Sequence, residues 1–183
     1  MSKNLDVHFS SDSNEWQTPP WLFNLMDKEF GGFQLDAAAT EKNALCSKYY
    51  TQEIDGLKQE WGKDADLVWI NPPYSRIGPK FLRYGYEQSL KYPHLTAVFL
   101  VPARPDTAVW HECCAHGEVR LIRGRLSFAK PVAPDTEPAL PKNAPAPFPS
   151  ALVIFGARAK AGQTFYVDYR KWAKSNSGLT SES

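Results

Sequence analysis

Short continuous runs of apolar residues alternate along this chain with stretches in which apolar residues recur every three or four positions. Continuous runs are typical of strands buried on both faces of a parallel sheet, whereas the longer spacing is typical of amphipathic helices. The pattern predicts strands at 33–39 (running into a tight loop), 48–51, 67–70, 95–101, 118–128 with a bend at Gly124, 151–155 and, as an edge strand, 165–169. We therefore expect an α/β fold: a mostly parallel sheet flanked by helices, with antiparallel strands toward the C-terminal edge.

Three helices are predicted between these strands. The first begins after Thr18, a natural N-cap, with Pro19 in its first turn, and it ends at Gly31, which is followed by a second glycine. The second covers 76–92, and the third follows Asp106 as its cap. Because the apolar residues of each helix return at helical spacing, each is expected to cover one face of the sheet.

The organisation along the chain predicts a single domain over 14–174. Residues 1–13 are polar and lack periodicity, so we expect a flexible lead-in, and 175–183 should be a disordered tail. Residues 131–149 contain seven prolines and no apolar periodicity, which predicts a long loop. The loop is either a lid or recognition element beside the functional site, or a mobile insertion.

Composition and charge narrow the class of protein but not its partner. A chain of 183 residues with 43% hydrophobic and 22% charged residues is typical of a globular domain, and its net charge of +1 neither requires nor forbids nucleic acid. No apolar run approaches the ~20 residues of a membrane span, and the polar N-terminus is not a signal peptide, so we expect a cytoplasmic protein without membrane contact.

The cysteines and histidines do not indicate a metal site. The three cysteines are an odd number without the spacing of a zinc site or a disulfide framework. His111 and His116 are five positions apart, which places them on different sides of a helix. We therefore predict no metal, and buried thiols at Cys113 and Cys114.

The exit of the predicted strand 67–70 carries the most informative residues, Asn71-Pro72-Pro73-Tyr74. Two prolines keep the chain extended and donate no N–H, so an amide, a free carbonyl at Pro72 and an aromatic ring project together. Two acceptors and a ring suit a planar amine such as that of a nucleobase, whose lone pair they would localise during attack on an electrophile. The alternative is a structural turn capped by Asn71, with Tyr74 packing beside it.

Acidic and small residues follow two other predicted strands. Asp36-Ala37-Ala38 ends the first strand, and small side chains there let a ligand approach the backbone. An acid after the second strand commonly binds ribose hydroxyls, and either Glu53 or Asp55 can serve. The alternatives are a strand that enters an alanine-rich helix, and acids that are simply solvated.

Three arginines are interleaved with apolar residues over 118–128. Alternation predicts that Arg120, Arg123 and Arg125 share a solvent face, which is either a track for DNA phosphates or an ordinary solvated surface.

Several of these segments resemble a known family. The Asn-Pro-Pro-Tyr element is similar to the catalytic motif of S-adenosylmethionine-dependent amino-group methyltransferases, and its surroundings resemble the small DNA N6-adenine methyltransferases of phages and prophages. The matching segments are 15–19, 35–39, 55–57 with Trp61, 71–75, 101–104, 124–128, 144–145 and 149–150, which together span most of the chain. One departure is that alanines replace the usual glycine-rich cofactor loop at 37–39.

The resemblance implies a Rossmann-like methyltransferase fold and methyl transfer from S-adenosylmethionine to the N6 amine of a flipped adenine in double-stranded DNA. It implies catalytic roles for Asn71 to Tyr74 and places Phe128 near the flipped base. It implies cofactor contacts for Thr18, Pro19, Asp36, Ala37, Ala38 and Asp55. It also implies a phage- or prophage-encoded protein acting in a bacterial cell, and we infer no obligate protein partner. The motif is shared by enzymes acting on RNA, cytosine N4 or protein glutamine, and a non-catalytic nucleic-acid-binding protein is a further alternative.

Overall fold

The computed structural model describes residues 16–128 and 145–169. The predicted lead-in 1–13, most of the proline-rich loop 131–149 and the predicted tail 175–183 lie outside the described residues.

A seven-stranded sheet forms the centre of the described structure. Its strands are β1 (Leu35–Asp36), β2 (Lys48–Tyr49), β3 (Leu67–Ile70), β4 (Thr96–Pro102), β5 (Glu118–Ile122), β6 (Ser150–Gly156) and β7 (Thr164–Val167). Their spatial order is β2-β1-β3-β4-β6-β5-β7. Among these strands only β6 runs in the opposite direction, pairing antiparallel with both β4 and β5. The predicted α/β fold with a mostly parallel sheet and an antiparallel strand on the C-terminal side is confirmed, and it is consistent with a Rossmann-like methyltransferase fold.

Four helices cover the sheet in the described part of the chain: α1 (Pro20–Phe30), the single turn α2 (Trp61–Asp64), α3 (Gly78–Lys91) and α4 (Ala108–Glu112). Helices cover both faces of the sheet. Because successive side chains of a strand point to opposite faces, neighbouring residues of one strand are buried in different cores. On β3, Val68 and Ile70 join the core under α3 and α4, whereas Leu67 and Trp69 join the core under α1. This explains why the apolar runs are continuous rather than alternating.

The start of α1 differs from the prediction by one position. The N-cap is Pro19, extended at φ −60° and ψ 126°, and no side chain caps the helix. Pro20 causes the shift, because a residue before proline is disfavoured in helical conformation. The predicted end is confirmed: Gly31 takes the left-handed conformation at φ +91°.

The alternative that the first strand enters an alanine-rich helix is excluded, because the chain after Ala39 forms turns at 41–43. Two further expectations were wrong. The third helix is capped by Thr107 rather than Asp106. The segment after Gly124 makes no strand in the described residues: Gly124 bends the chain at φ +83°, and 125–128 leave the sheet. This departure carries Phe128 toward the end of the sheet where Asn71 lies.

Within the described ranges, no helix has the length and apolar character needed to cross a membrane.

Candidate active site

A cavity of about 550 Å³ opens at the carboxyl ends of β1 and β3. Parallel strands end at the same edge of a sheet, so residues distant in sequence meet there. Its lining includes eight of the predicted site residues: Thr18, Asp36, Ala37, Ala38, Asp55, Asn71, Pro72 and Pro73. Pro19 and Tyr74 are not part of this lining. Further lining residues for which the sequence predicted no role are Trp16, Gln17, Asn43, Leu45, Tyr50, Gln52, Ser75, Ile77 and Phe81.

Asp36 places a buried carboxylate in the wall of the cavity. It is 3% exposed, and its two oxygens accept hydrogen bonds from the backbone N–H groups of Ala38 (3.3 Å) and Leu45 (3.2 Å). Burial nevertheless raises the pKa of Asp36 to about 6, because the backbone contacts only partly offset the loss of water. No salt bridge to Asp36 forms within the part of the chain that the structure describes. A cationic group in the cavity would therefore be stabilised beside Asp36.

Asp55 approaches the same cavity from an unusual backbone conformation. Its φ of +56° is left-handed, and its side chain accepts a hydrogen bond from the N–H of Leu57 (3.2 Å). The hydrogen bond from Lys58, 3.0 Å away, lowers the pKa of Asp55, which therefore stays ionised. The next residue, Gly56, packs so closely that an added Cβ would lie 2.3 Å from the Ala37 carbonyl oxygen. Of the two acids considered, Asp55 lines the cavity, whereas Glu53 is exposed outside the lining.

Asn71 presents an acceptor without a partner. Its Nδ2 donates to the carbonyl oxygen of Trp16 at 2.6 Å, while its Oδ1 is buried and has no hydrogen-bond partner among the described residues. An unsatisfied buried acceptor costs about 1–3 kcal/mol, so such a group in a cavity wall indicates a donor that arrives with a ligand.

Tyr74 belongs to a cluster of four aromatic rings. We call Trp16, Tyr74, Phe128 and Phe148 the aromatic cluster. Tyr74 meets Phe128 edge-on with ring centroids 6.0 Å apart and Phe148 at 5.3 Å. Its hydroxyl donates to the Leu100 carbonyl at 3.3 Å, and burial raises the pKa of Tyr74 far above its usual value, so the ring is neutral. Trp16 and Phe148 were missed as site residues, because no local pattern marks an aromatic residue that packs against a distant strand exit.

A second cavity, of about 120 Å³, lies beside this turn and is mainly apolar. Tyr74 and Trp110 line it, and Arg104 and Thr107 supply polar groups. Both cavities include Pro72, Pro73 and Ser75 in their linings, which shows that the Asn-Pro-Pro-Tyr turn is a wall common to the two. A turn between two cavities can contact two ligands at once.

The three predicted arginines do not share a solvent face, and that expectation was wrong for Arg120. The side chain of Arg120 is 13% exposed and pairs with Glu29 at 2.8 Å and Glu118 at 2.6 Å. Arg123 and Arg125 are exposed: Arg123 lies 3.5 Å from Asp168, and Arg125 donates to the Ala146 carbonyl at 3.4 Å. Arg120 lies within β5, whereas Arg123 and Arg125 lie beyond its last residue, Ile122.

Comparisons with known proteins show which family the chain is similar to. The family model described as DNA N-6-adenine-methyltransferase (Dam) matches residues 8–175. A DNA N-6-adenine-methyltransferase of Escherichia phage T1 is 48% identical over 97 residues, which cover 53% of this chain and 39% of the relative. A protein of the same name from Haemophilus phage HP1 is 31% identical over 113 residues, which cover 61% of this chain and 62% of the relative. The chain thus matches less than two thirds of the length of each of these two relatives.

Proposed function

The chain belongs to the DNA N-6-adenine-methyltransferase (Dam) family, and from this premise we propose that it transfers a methyl group from S-adenosylmethionine to the N6 amine of an adenine in double-stranded DNA. The observation that carries the proposal is the buried Oδ1 of Asn71 at the exit of β3, which has no hydrogen-bond partner among the described residues and lies beside a cavity that contains a buried carboxylate. The Asn71 oxygen is an acceptor for an amine, and the buried carboxylate favours a cationic methyl donor.

The larger cavity fits the proposed donor in size and charge. A volume of about 550 Å³ lies within the range of roughly 300–1,000 Å³ that is usual for cofactor and ligand sites. S-adenosylmethionine carries an ammonium and a sulfonium group, and when bound it supplies an electrophilic methyl group. In this proposal Asp36 binds the cationic part, Ala37 and Ala38 allow close approach to the backbone, and Asp55 accepts from a ribose hydroxyl or the cofactor's adenine amine. Thr18 closes the cavity on the side of α1.

The Asn-Pro-Pro-Tyr turn would hold the adenine amine. In this proposal Asn71 Oδ1 accepts one amine hydrogen and the Pro72 carbonyl accepts the other. Two such acceptors favour a pyramidal nitrogen, so they localise the lone pair as the nitrogen attacks the methyl group. The methyl–sulfur bond breaks as the nitrogen–carbon bond forms, and its electron pair stays on sulfur, so S-adenosylhomocysteine leaves as a neutral thioether. Because these contacts strengthen as charge develops, they stabilise the transition state more than the bound base. The proton of the product ammonium leaves afterward to water, so no strong base is required.

The target base must leave the duplex to reach this turn. Flipping costs a few kcal/mol, and stacking on an aromatic side chain returns about 1–3 kcal/mol per base. We assign the stacking to Tyr74, with Phe128 beside it in the aromatic cluster. Exposed Arg123 and Arg125 would bind DNA phosphates. Both relatives are phage proteins, so we place the reaction in the cytoplasm of a bacterial host.

The test is incubation with labelled S-adenosylmethionine and unmethylated duplex DNA, followed by nucleoside analysis. The expected product is N6-methyl-2′-deoxyadenosine. Asn71→Ala should lower the rate constant for transfer roughly 100-fold or more, the range for removing one preorganised hydrogen-bonding group, while donor binding in calorimetry stays largely intact.

The matched control is Asn24→Ala, which removes an amide from the exposed face of α1 and should leave the rate unchanged. Full activity of Asn71→Ala would remove Asn71 from the mechanism. Label in N4-methylcytosine would overturn the substrate assignment, and so would transfer to RNA or to a protein glutamine in parallel incubations that replace the DNA. No transfer to any of these acceptors would overturn the proposed enzymatic activity.

A further inference from the structure

The orientation of the Asn71 amide is set by a residue far away in sequence. Within the described residues its one hydrogen bond is from Nδ2 to the carbonyl oxygen of Trp16, 55 positions earlier, at 2.6 Å. A backbone carbonyl has no proton to donate, so it can bind only the NH₂ end of the amide. The contact therefore excludes the flipped amide and leaves Oδ1 as the free end.

The proposed reaction depends on this choice of orientation. If the amide turned over, its NH₂ group would meet the NH₂ group of adenine, and two donors cannot form a hydrogen bond. The same rotation would also place Oδ1 against the Trp16 carbonyl, bringing two acceptors together. Only one of the two orientations of Asn71 can thus accept from an amine, and it is the orientation that Trp16 supports.

The carbonyl of Trp16 is held in place from both sides. The indole ring packs edge-on against Phe128, with centroids 5.6 Å apart, and against Phe148 at 5.4 Å. On the other side, Thr18 is 7% exposed and precedes Pro19, the N-cap of α1. We propose that Trp16 is a positioning residue, which fixes the Asn71 amide through its backbone carbonyl and is itself anchored through its ring. The proposal rests on the proposed function and adds a residue that orients the acceptor.

The first test compares single-turnover rate constants at a saturating concentration of the methyl donor. Under this condition a change in donor affinity does not alter the measured rate constant. Trp16→Ala should slow transfer roughly 10- to 100-fold, the usual effect of losing a group that orients a reacting residue. Trp16→Phe keeps an aromatic anchor and should restore most of the rate. The control is Phe33→Ala, which removes ring contacts with Phe23 and Trp69 on the same core face but leaves the Trp16 contact in place.

The Asn71→Asp background separates positioning from general packing. A carboxylate accepts through either oxygen, so it has no donor end that must be turned away. It also has no hydrogen to share with the Trp16 carbonyl. In this background Trp16→Ala should therefore leave the residual rate unchanged or raise it. An equal loss of rate in both backgrounds would mean that Trp16 only stabilises the fold, and it would overturn the proposal.

An NMR measurement that does not depend on enzymatic activity tests the positioning role of Trp16 separately from the proposed function. The side-chain NH₂ signals of Asn71 in nitrogen-15 NMR spectra can be assigned by their loss in Asn71→Ala. In the wild type they should exchange slowly with solvent, and in Trp16→Ala they should exchange much faster. Unchanged signals would overturn the positioning role even in an active enzyme. Failure of the wild type to methylate DNA would instead overturn the proposed function, while the NMR result would still test the contact.

Discussion

At the scale of single residues, two buried polar groups in the cavity wall lack hydrogen-bond or ion-pair partners that would fully offset their loss of water in the described structure. The carboxylate of Asp36 is buried without an ion pair in the described ranges, and Oδ1 of Asn71 has no partner there. Both features raise the free energy of the ligand-free protein, and a cation and an amine would relieve them. Such incompletely satisfied groups are typical of preorganised binding sites, which trade some stability for function.

The raised pKa of Asp36 predicts how donor binding depends on pH. The pKa is about 6 in the folded protein and 3.8 for an ordinary aspartate, so the folded state binds the proton more tightly. The contribution of Asp36 to stability therefore falls as pH rises from about 4 to 6. A cationic donor favours the ionised form, so affinity for S-adenosylmethionine should be maximal above pH 7 and roughly tenfold weaker at pH 5.

Calorimetric titrations between pH 5 and pH 8 check this expectation. Asp36→Ala should bind the donor weakly and lose the dependence between pH 5 and 7. A wild-type dissociation constant that does not change across this range would show that Asp36 does not contact the cationic group.

At the scale of elements, α3 links the core to the Asn-Pro-Pro-Tyr turn. The helix begins at Gly78, where an added Cβ would lie 3.0 Å from the Pro73 carbonyl oxygen. In its middle, Gly85 lets the helix approach β4, and an added Cβ would lie 2.4 Å from the ring of the fully buried Phe99. Close packing of this helix thus supports the turn from below.

Gly85→Ala should destabilise the protein although alanine is the better helix former. Overpacking a core costs about 1–3 kcal/mol, and the short contact with Phe99 puts this site at the upper end. Alanine returns about 1 kcal/mol of helix propensity, which leaves a net loss of about 2 kcal/mol. Thermal unfolding should show a Tm lower by roughly 4–8 °C.

Leu90→Ala is the control for this helix, because Leu90 is 65% exposed on its outer face. It should change the free energy of unfolding by less than about 0.5 kcal/mol. A Tm of Gly85→Ala at or above that of the wild type would mean that α3 can move away from β4 at little cost.

The end of β5 separates the buried Arg120 from the exposed Arg123 and Arg125, and we expect the two sets to have different roles. Changing Arg123 and Arg125 together to Ala should reduce the slope of log affinity against log salt by about 1.8, because each phosphate contact contributes about 0.9. Arg120→Ala removes one positive charge from the same region, but it should leave the slope unchanged. Its effect should appear as lost stability, because Glu118 is 2% exposed and would lose its ion pair.

Binding to duplex DNA over a series of salt concentrations distinguishes these variants. An unaltered slope for the double variant would assign Arg123 and Arg125 to an ordinary solvated surface.

At the scale of the whole molecule, the sheet brings two cavities to one edge with the Asn-Pro-Pro-Tyr turn between them. The larger contains the charged groups of β1 and of the Asp55 turn, and the smaller is mainly apolar. In the proposed reaction the larger cavity holds the charged donor and the smaller one holds the flat base. Pro72, Pro73 and Ser75 of the turn line both cavities.

Donor binding should stabilise the whole fold, since the cavity joins β1, β3 and the segment before α1. At a ligand concentration of 100 times the dissociation constant, binding adds about 2.7 kcal/mol. For a domain of this size, thermal unfolding should shift upward by roughly 5–10 °C. Asp36→Ala should lose most of the shift at the same ligand concentration. No shift in the wild type would exclude the cavity as the donor site.

Much of the fold was predictable from local pattern. The continuous apolar runs at 67–70, 95–101 and 151–155 predicted strands that the structure confirms within a residue or two, because burial on both faces leaves no polar position. The residues around Asn71 and Asp36 were predictable as candidates because strand exits in a parallel sheet meet at one edge. Their chemical roles remain predictions that the experiments above test.

The sequence by itself determined which segments are buried, where the chain must leave the sheet, and which chemical groups stand at those exits. Only the tertiary structure decided the partners of those groups: β6 lies between β4 and β5, Arg120 pairs with Glu29, and Trp16 holds the amide of Asn71. The physical reason is that apolar periodicity reports the burial of each segment on its own, whereas a hydrogen bond or ion pair depends on which distant segments the packed sheet brings together.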